Sequence, residues 1–260
     1  MVDIIFVVKV SLVPALILIA SLAGNRWGPA VSGWLVSLPF TSAPVVFFLA
    51  LEQGDSFASS ASVGVILGLA SIILFAFAYC WLALRRNGVG WPYPLLFGSG
   101  AFFFLTFVFV GISVPAIAAF LGVVLFLTLA YRFLPRAPSE AVARPPVALW
   151  EIAFRMVAAT LLVLLITQAS TFLGPQLSGL LTPFPVYVSV LASSTYRVNG
   201  PVPAAQLVRG ATLGLFTPAV FFLIISTTIE SLGVGPSFVL AIASTPLIHG
   251  LTYRLLRLGR

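Results

Sequence analysis

Charged residues are scarce in this chain, and cysteine and histidine occur only once each. Of its 260 residues, 7% are charged, against roughly 25% in soluble domains, which excludes a surface that is solvated throughout. The single cysteine, Cys80, excludes an intramolecular disulfide and a cysteine-based metal cluster. The sequence also lacks an HExxH motif and a glycine-rich phosphate loop. We therefore expect no enzyme and no cofactor.

Hydrophobic residues make up 60% of the chain, and apolar runs of about 20 residues, the length that crosses a hydrocarbon core, recur from end to end. The sequence therefore predicts an all-α, polytopic membrane protein whose partner is the lipid bilayer. A net charge of +7 is compatible with a nucleic-acid partner, but the arginines lie between apolar spans and form no basic face. We therefore expect no nucleic-acid partner. The N-terminus has Asp3 where a signal peptide has basic residues, so we interpret it as the first span.

Glycine, proline and charged residues divide the chain into about nine transmembrane spans. Prolines interrupt the second and the seventh, so these two are the least regular. The predicted spans are 2–23, 28–53, 56–84, 92–110, 112–134, 148–171, 174–197, 202–230 and 235–257.

The charged residues separate onto two sides of these spans. Because basic residues concentrate on the cytoplasmic side, we predict a multi-pass protein of the inner (plasma) membrane, with the N-terminus outside and the C-terminus in the cytoplasm. The outer side holds Asp3, Glu52, Asp55 and Glu230, and the inner side holds Arg26, Arg85, Arg86, Arg132, Arg136, Arg144, Arg155, Arg197, Arg209, Arg254, Arg257 and Arg260.

One phrase occurs twice along the chain. "GPAVSGWLVSLP" begins at Gly28 and "GPQLSGLLTPFP" begins at Gly174, an offset of 146 residues. At this offset, 16 of the 67 positions between residues 9 and 75 are identical, against roughly one in ten by chance. Several identities are glycine or proline, which a leucine-rich composition does not explain. We interpret the pattern as an internal duplication.

Five spans separate each element from its copy, and five is odd, so the copies enter the membrane from opposite sides. Inverted repeats of this kind are typical of secondary transporters. We expect a first inverted four-span repeat at 1–110, a linking span with a cytoplasmic loop at 111–147, and a second inverted four-span repeat at 148–260.

The repeated phrase predicts broken helices. Its Gly-Pro suits a helix start, and its later prolines remove backbone donors. Irregular backbone at membrane depth is tolerated inside the protein or against a wet cavity, so we expect the two phrases to meet at a central substrate site. The alternative is a pair of ordinary proline kinks. The candidate binding residues are Ser32, Gly33, Pro39, Ser178, Gly179 and Pro185.

Two cations match at the same offset, Lys9 and Arg155. Each lies about two turns inside its span, where a charge is costly and is a functional candidate. We expect Lys9 to attract an anionic substrate from outside and Arg155 from inside. The alternative is that both side chains snorkel to headgroups or that Arg155 pairs with Glu151, one turn away.

Three further features complete the prediction. The glycine pairs at 64/68 and 210/214 are typical of close helix packing, and His249 is expected to be a packing residue. No carboxylate lies deep in a span, so we expect no coupling through a buried acid.

The sequence thus predicts a secondary transporter of a small anionic metabolite, working by alternating access between the repeats. The alternatives are a flippase for a lipid-linked or amphiphilic anion and a membrane scaffold or assembly factor without a substrate. The oligomeric state stays open between a monomer and a homodimer.

Overall fold

Every regular element is helical in the part of the chain that the computed structural model describes, residues 4–24, 34–85, 89–135 and 149–258. The all-α class is therefore confirmed. The phrase residues 28–33, with Ser32 and Gly33, and the loop 136–148 lie outside the described residues. The helices are α1 (Ile4–Gly24), α2 (Ser42–Gln53), α3 (Asp55–Arg85), α4 (Pro92–Phe109), α5 (Ala116–Phe133), α6 (Leu149–Leu181), α7 (Val186–Asn199), α8 (Pro201–Gly214), α9 (Phe216–Leu232) and α10 (Val234–Leu258).

Six helical stretches among the described residues are long and apolar enough to cross a membrane, by length and composition. They correspond to six of the nine predicted spans. Of the other three predicted spans, the first contains α1, whose apolar stretch is described over Ile4–Ile19, and the second contains the shorter helix α2. The third, from Gly174 through α7, is interrupted at 182–185, so the count of nine stays a prediction. The six stretches are Asp55–Arg85, Pro92–Phe109, Ala116–Phe133, Trp150–Leu181, Pro201–Leu232 and Val234–Thr252.

Burial divides these helices into a central and a peripheral set. In α3, 78% of an apolar 18-residue stretch is buried inside the protein, and in the combined α8–α9 helices the corresponding share is 61%. The corresponding share is only 22% in α4, α5 and α10, whose surfaces carry exposed residues such as Phe104 and Phe107. An apolar helix exposed outside the core is stable only against lipid, so α3 and α8–α9 form the centre and the other three face the bilayer.

Helix α6 is interrupted at Gly174, where the backbone has φ 72° and ψ 171°. That combination is accessible to glycine and strained for any other residue. The helix resumes at Pro175, which agrees with the helix start predicted from the Gly-Pro pair. The short helical piece 175–181 then leads to a second break at 182–185, before α7 begins.

The junctions α2–α3 and α7–α8 have the same construction. Gly54 joins the first pair with φ 91° and ψ 170°, and Gly200 joins the second with φ 87° and ψ −175°. The two glycines are 146 residues apart. Both junctions therefore use the backbone conformation that glycine alone adopts readily, at the offset that the sequence duplication defines.

Candidate functional site

Two proline-containing segments make the same turn. We call residues 35–43 the first proline segment and residues 181–189 the second. In each, three backbone hydrogen bonds recur at the 146-residue offset, with donors and acceptors in matching order. In the first segment they are Leu38 N to Leu35 O (3.3 Å), Phe40 N to Leu38 O (2.7 Å) and Ala43 N to Pro39 O (2.9 Å); in the second they are Phe184 N to Leu181 O (3.0 Å), Val186 N to Phe184 O (2.8 Å) and Ser189 N to Pro185 O (2.8 Å).

These turns release backbone carbonyls from helical pairing. Pro185 lies at the centre of the second turn with φ −80° and ψ 55°, the geometry of an inverse γ-turn. Because the Val186 N–H donates to Phe184, it is withdrawn from the Thr182 carbonyl that a continuous helix would pair with it. In the first segment, Phe40 is withdrawn from Val36 in the same way. Such carbonyls are available to a ligand or to water.

The two proline segments line a small cavity, which we call the central cavity, with a volume of about 60 Å³. Residues of the first segment, including Pro39 and Ser42, line one part, and residues of the second, including Pro185 and Tyr187, line another. The remaining lining residues come from the two central helical stretches: Leu69 and Ile72 from α3, and Ala211, Leu215 and Pro218 from α8–α9. The segments that carry the sequence repeat therefore meet at one place.

Glycines on the central helices let each proline segment approach closely. A Cβ atom built on Gly68 of α3 lies 2.6 Å from Cγ of Pro183 and 2.7 Å from the Leu180 carbonyl oxygen. One built on Gly214 of α8 lies 2.7 Å from Cβ of Ser37 and 2.8 Å from the Trp34 carbonyl oxygen. These distances are too short for a real side chain, so only glycine fits. The close packing predicted for these glycines is therefore present at Gly68 and Gly214.

The structure distributes the predicted phrase residues between two places. Pro39 and Pro185 both line the central cavity. Ser178 and Gly179 lie instead at the crossing of α6 with α3, where Gly179 packs against the Ala61 carbonyl oxygen. The Ser178 hydroxyl is buried there without a hydrogen-bond partner among the described residues.

Lys9 is almost completely buried, with 1% of its surface exposed. Its Nζ atom lies 2.6 Å from Oε1 of Glu52 and donates to Oγ1 of Thr167 at 2.8 Å, and it lies 5.3 Å from the centre of the Phe48 ring. The sequence placed Glu52 only on the outer side of the spans and gave it no partner. Glu52 comes from another helix, 43 residues along the chain, and local spacing could not indicate it.

Arg155 is equally buried, with 1% exposed, but is less completely paired. Its Nη2 atom lies 3.2 Å from Oε2 of Glu151, the partner that the sequence suggested. Its guanidinium carbon lies 5.2 Å from the centre of the Tyr187 ring, and its Nε–H has no hydrogen-bond partner among the described residues. Since Tyr187 lines the central cavity, Arg155 reaches the wall of that cavity through one aromatic ring.

A second cavity, about 330 Å³ in volume, lies between α4, α6 and α7, and we call it the interfacial cavity. Its size is in the range of small-molecule sites. Glu151 at its wall is the ion-pair partner of Arg155, so Arg155 contacts one wall residue of each cavity: Glu151 here and Tyr187 at the central cavity. Sequence reasoning missed this site, because its residues come from three separate predicted spans. They are Trp91, Leu95, Trp150, Glu151, Phe154, Ser189, Val190, Ser193, Ser194 and Arg197.

The single histidine packs against Trp34, the residue directly before the first proline segment. The ring of His249 stacks on Trp34, with centroids 3.7 Å apart and planes inclined by 14°. Nδ1 of His249 lies 2.9 Å from Oγ1 of Thr217, and the indole Nε1–H of Trp34 donates to Thr252 at 2.9 Å. His249 is thus a buried packing residue that connects α10 to α9 and to Trp34.

The fold and these cavities define a multi-pass, all-helical membrane protein with interrupted helices at its centre. Comparison of the chain with protein-family models, with curated proteins and with solved structures returned no match.

Proposed function

We propose that this protein is a secondary transporter of a small anion, built from two inverted repeats and working by alternating access. The observation that carries the proposal is the meeting of two proline segments, with matching turns at one sequence offset, around the central cavity. In secondary transporters the substrate site lies near the midplane, at the interface between repeats, and is formed by discontinuous helices.

Packing between the two halves supports the inverted arrangement. Each proline segment packs on a central helix of the other half, through Gly68 in one case and Gly214 in the other. Lys9, near the beginning of α1, bonds to Thr167, in the later part of α6, while Val13, Ile17, Ala159 and Val163 share one apolar cluster. This is the register that antiparallel packing of α1 and α6 gives, and matching helices of inverted repeats run antiparallel.

The size of the central cavity favours a mechanism with moving parts. About 60 Å³ holds a few water molecules but no organic metabolite. Binding of a metabolite therefore requires the proline segments to separate, and rocking one repeat against the other does this while opening the cavity to one side at a time. The structure corresponds in this proposal to a state in which the substrate site is collapsed.

Arg155 is the residue that we expect to attract the anion to the central cavity. Its buried cation is paired with one carboxylate through a 3.2 Å contact, and its Nε–H remains without a partner among the described residues. An unpaired buried donor such as this Nε–H destabilises the protein. An anionic ligand that accepts its hydrogen bond removes that cost. Lys9 is already held by Glu52 and Thr167, so its role in the proposal is weaker than the sequence indicated.

The test is a flux assay in proteoliposomes with a panel of small inorganic and organic anions. We expect at least one anion to be taken up faster than into protein-free vesicles, and Arg155→Gln to lower that uptake. Arg132, exposed on α5, supplies the matched control, because Arg132→Gln removes one positive charge away from both cavities. Uptake equal to that of empty vesicles for every anion favours the scaffold alternative.

One observation favours the flippase alternative. The interfacial cavity combines aromatic side chains with Arg197 and adjoins Arg155, an arrangement that suits an amphiphilic anion as well as a soluble one. A scramblase assay with fluorescent anionic lipid in the same proteoliposomes distinguishes the two: lipid movement without uptake of soluble anions favours a flippase.

A further inference from the structure

We infer that the interfacial cavity binds an amphiphile with a phosphate headgroup, such as an anionic phospholipid. The inference does not require transport, since it concerns binding at a site separate from the central cavity. It rests on the shape, the charge and the position of the interfacial cavity.

The polar wall of the cavity is one face of α7. Ser189, Ser193 and Arg197 follow each other at intervals of four residues, so they lie one above the other on the same side of the helix. The hydroxyl of Ser189, a residue that is 8% exposed, has no hydrogen-bond partner among the described residues. The Ser193 hydroxyl donates to the Ser189 carbonyl at 2.7 Å, so the donors on this face are the Ser189 hydroxyl and Arg197.

The cavity carries an excess of one positive charge. Arg197 has no acidic partner within the described part of the chain, and its guanidinium carbon lies 5.8 Å from the centre of the Trp91 ring. The one carboxylate in the wall, Glu151, is paired with Arg155. The free guanidinium and the free Ser189 hydroxyl are both donors, and a phosphate oxygen is the acceptor that arginine binds in bidentate geometry.

The rest of the wall is apolar and opens toward the bilayer. Trp150 is 60% exposed and Phe154 is 54% exposed, so an acyl chain could lie along them. Tryptophan is enriched where a membrane meets water, and both Trp91 and Trp150 stand at the beginnings of their helices. The cavity is thus positioned at the headgroup level, where a lipid phosphate lies.

The loop before α4 is tied to the same helix face. The Tyr196 hydroxyl donates to the Val89 carbonyl at 2.6 Å, which holds the end of α7 against the chain that leads to Trp91. This bond holds the part of α7 that carries Arg197 beside Trp91, the ring that lies 5.8 Å from the Arg197 guanidinium carbon.

The test is native mass spectrometry of the full-length protein released from nanodiscs with equal amounts of phosphatidylglycerol and phosphatidylcholine. We expect phosphatidylglycerol to be retained preferentially and Arg197→Gln to reduce that preference about fivefold, the effect of one basic residue near an anionic headgroup. Arg197→Lys should restore part of the preference, because lysine keeps the charge without the bidentate donors, and such rescue excludes misfolding as the cause. Arg132→Gln should leave the preference unchanged. Equal retention of both lipids, or an unchanged preference in Arg197→Gln, overturns the inference.

A displacement experiment separates a lipid from a free phosphate. Dodecyl phosphate should displace phosphatidylglycerol from the wild-type protein, because it offers both the headgroup and an acyl chain. Inorganic phosphate at the same concentration should not. Equal displacement by the two compounds overturns the assignment of an amphiphile, and failure of both contradicts a phosphate site. None of these results depends on anion flux, so they leave the transport proposal to its own assay.

Discussion

The Nζ atom of Lys9 lies 2.6 Å from Oε1 of Glu52, and the two residues belong to different helices. The cation that the sequence places inside the first span is therefore neutralised within the protein. A buried cation without its partner is costly, so this pair fixes the position of α1 against α2.

We predict that Lys9→Met lowers the stability of the protein by about 1–3 kcal/mol, the cost of leaving a polar partner unpaired. Thermal unfolding in detergent measures the effect, with Arg132→Met as the control for loss of an exposed charge. Replacing both members, Lys9→Met with Glu52→Leu, should recover part of the loss, because no unpaired charge remains. An unchanged unfolding temperature in Lys9→Met contradicts the pairing.

A second prediction concerns the close approach of the proline segments. Gly68→Ala and Gly214→Ala should each lower the unfolding temperature, since the added methyl group meets a carbonyl oxygen at less than 3 Å. Gly122→Ala on α5 is the matched control: its Cβ meets nothing within 4 Å, and alanine favours a helix by about 1 kcal/mol over glycine. Equal changes in unfolding temperature at all three positions would show that the backbone does not approach Gly68 and Gly214 closely.

The two junction glycines give a third prediction with a different cause. A Cβ on Gly54 or Gly200 meets no atom within 4 Å, so crowding plays no part there. Their positive φ angles nevertheless disfavour any side chain, and Gly54→Ala and Gly200→Ala should each cost about 1–3 kcal/mol. Gly100→Ala, in open space within α4, should cost nothing, and thermal unfolding again compares them.

The sequence predicted the long helices well. The predicted span 92–110 corresponds to α4 (Pro92–Phe109), and 235–257 corresponds to α10 (Val234–Leu258). Proline, glycine and charge mark these ends physically, by removing donors or by requiring water. The same signals placed breaks in the second and seventh spans, and the described parts of both are interrupted.

Contacts between distant parts of the chain were not predictable. Trp34 and Thr252 are 218 residues apart in sequence, and no periodicity reports such a pairing. Arg197 was assigned only to the arginine-rich side, because its role depends on Trp91 and on the helices that surround the interfacial cavity. The spacing of residues along the sequence indicates which face of a helix they share. It does not indicate which other helices pack against that face.

A fourth prediction concerns the contribution of Arg155 to anion transport. Arg155→Gln should lower anion uptake about tenfold or more, the effect of losing a charge-assisted hydrogen bond. Arg155→Lys should be intermediate, since lysine keeps the charge but not the planar donors. Initial rates over a range of anion concentrations, normalised to folded protein, measure the effect. Wild-type uptake in Arg155→Gln would remove Arg155 from the anion path.

The central claim is that the cavity between the proline segments opens alternately to the two sides of the membrane. Ser42 is buried, with 7% exposed, and lines that cavity. The most direct measurement labels Ser42→Cys, in a Cys80→Ala background, with an impermeant anionic methanethiosulfonate applied from either side of oriented vesicles. Ser62→Cys, buried in α3 away from the cavity, is the control that should stay unlabelled. Alternating access predicts labelling of Ser42→Cys from both sides, slowed by the transported anion; labelling from one side only, or from neither, contradicts it.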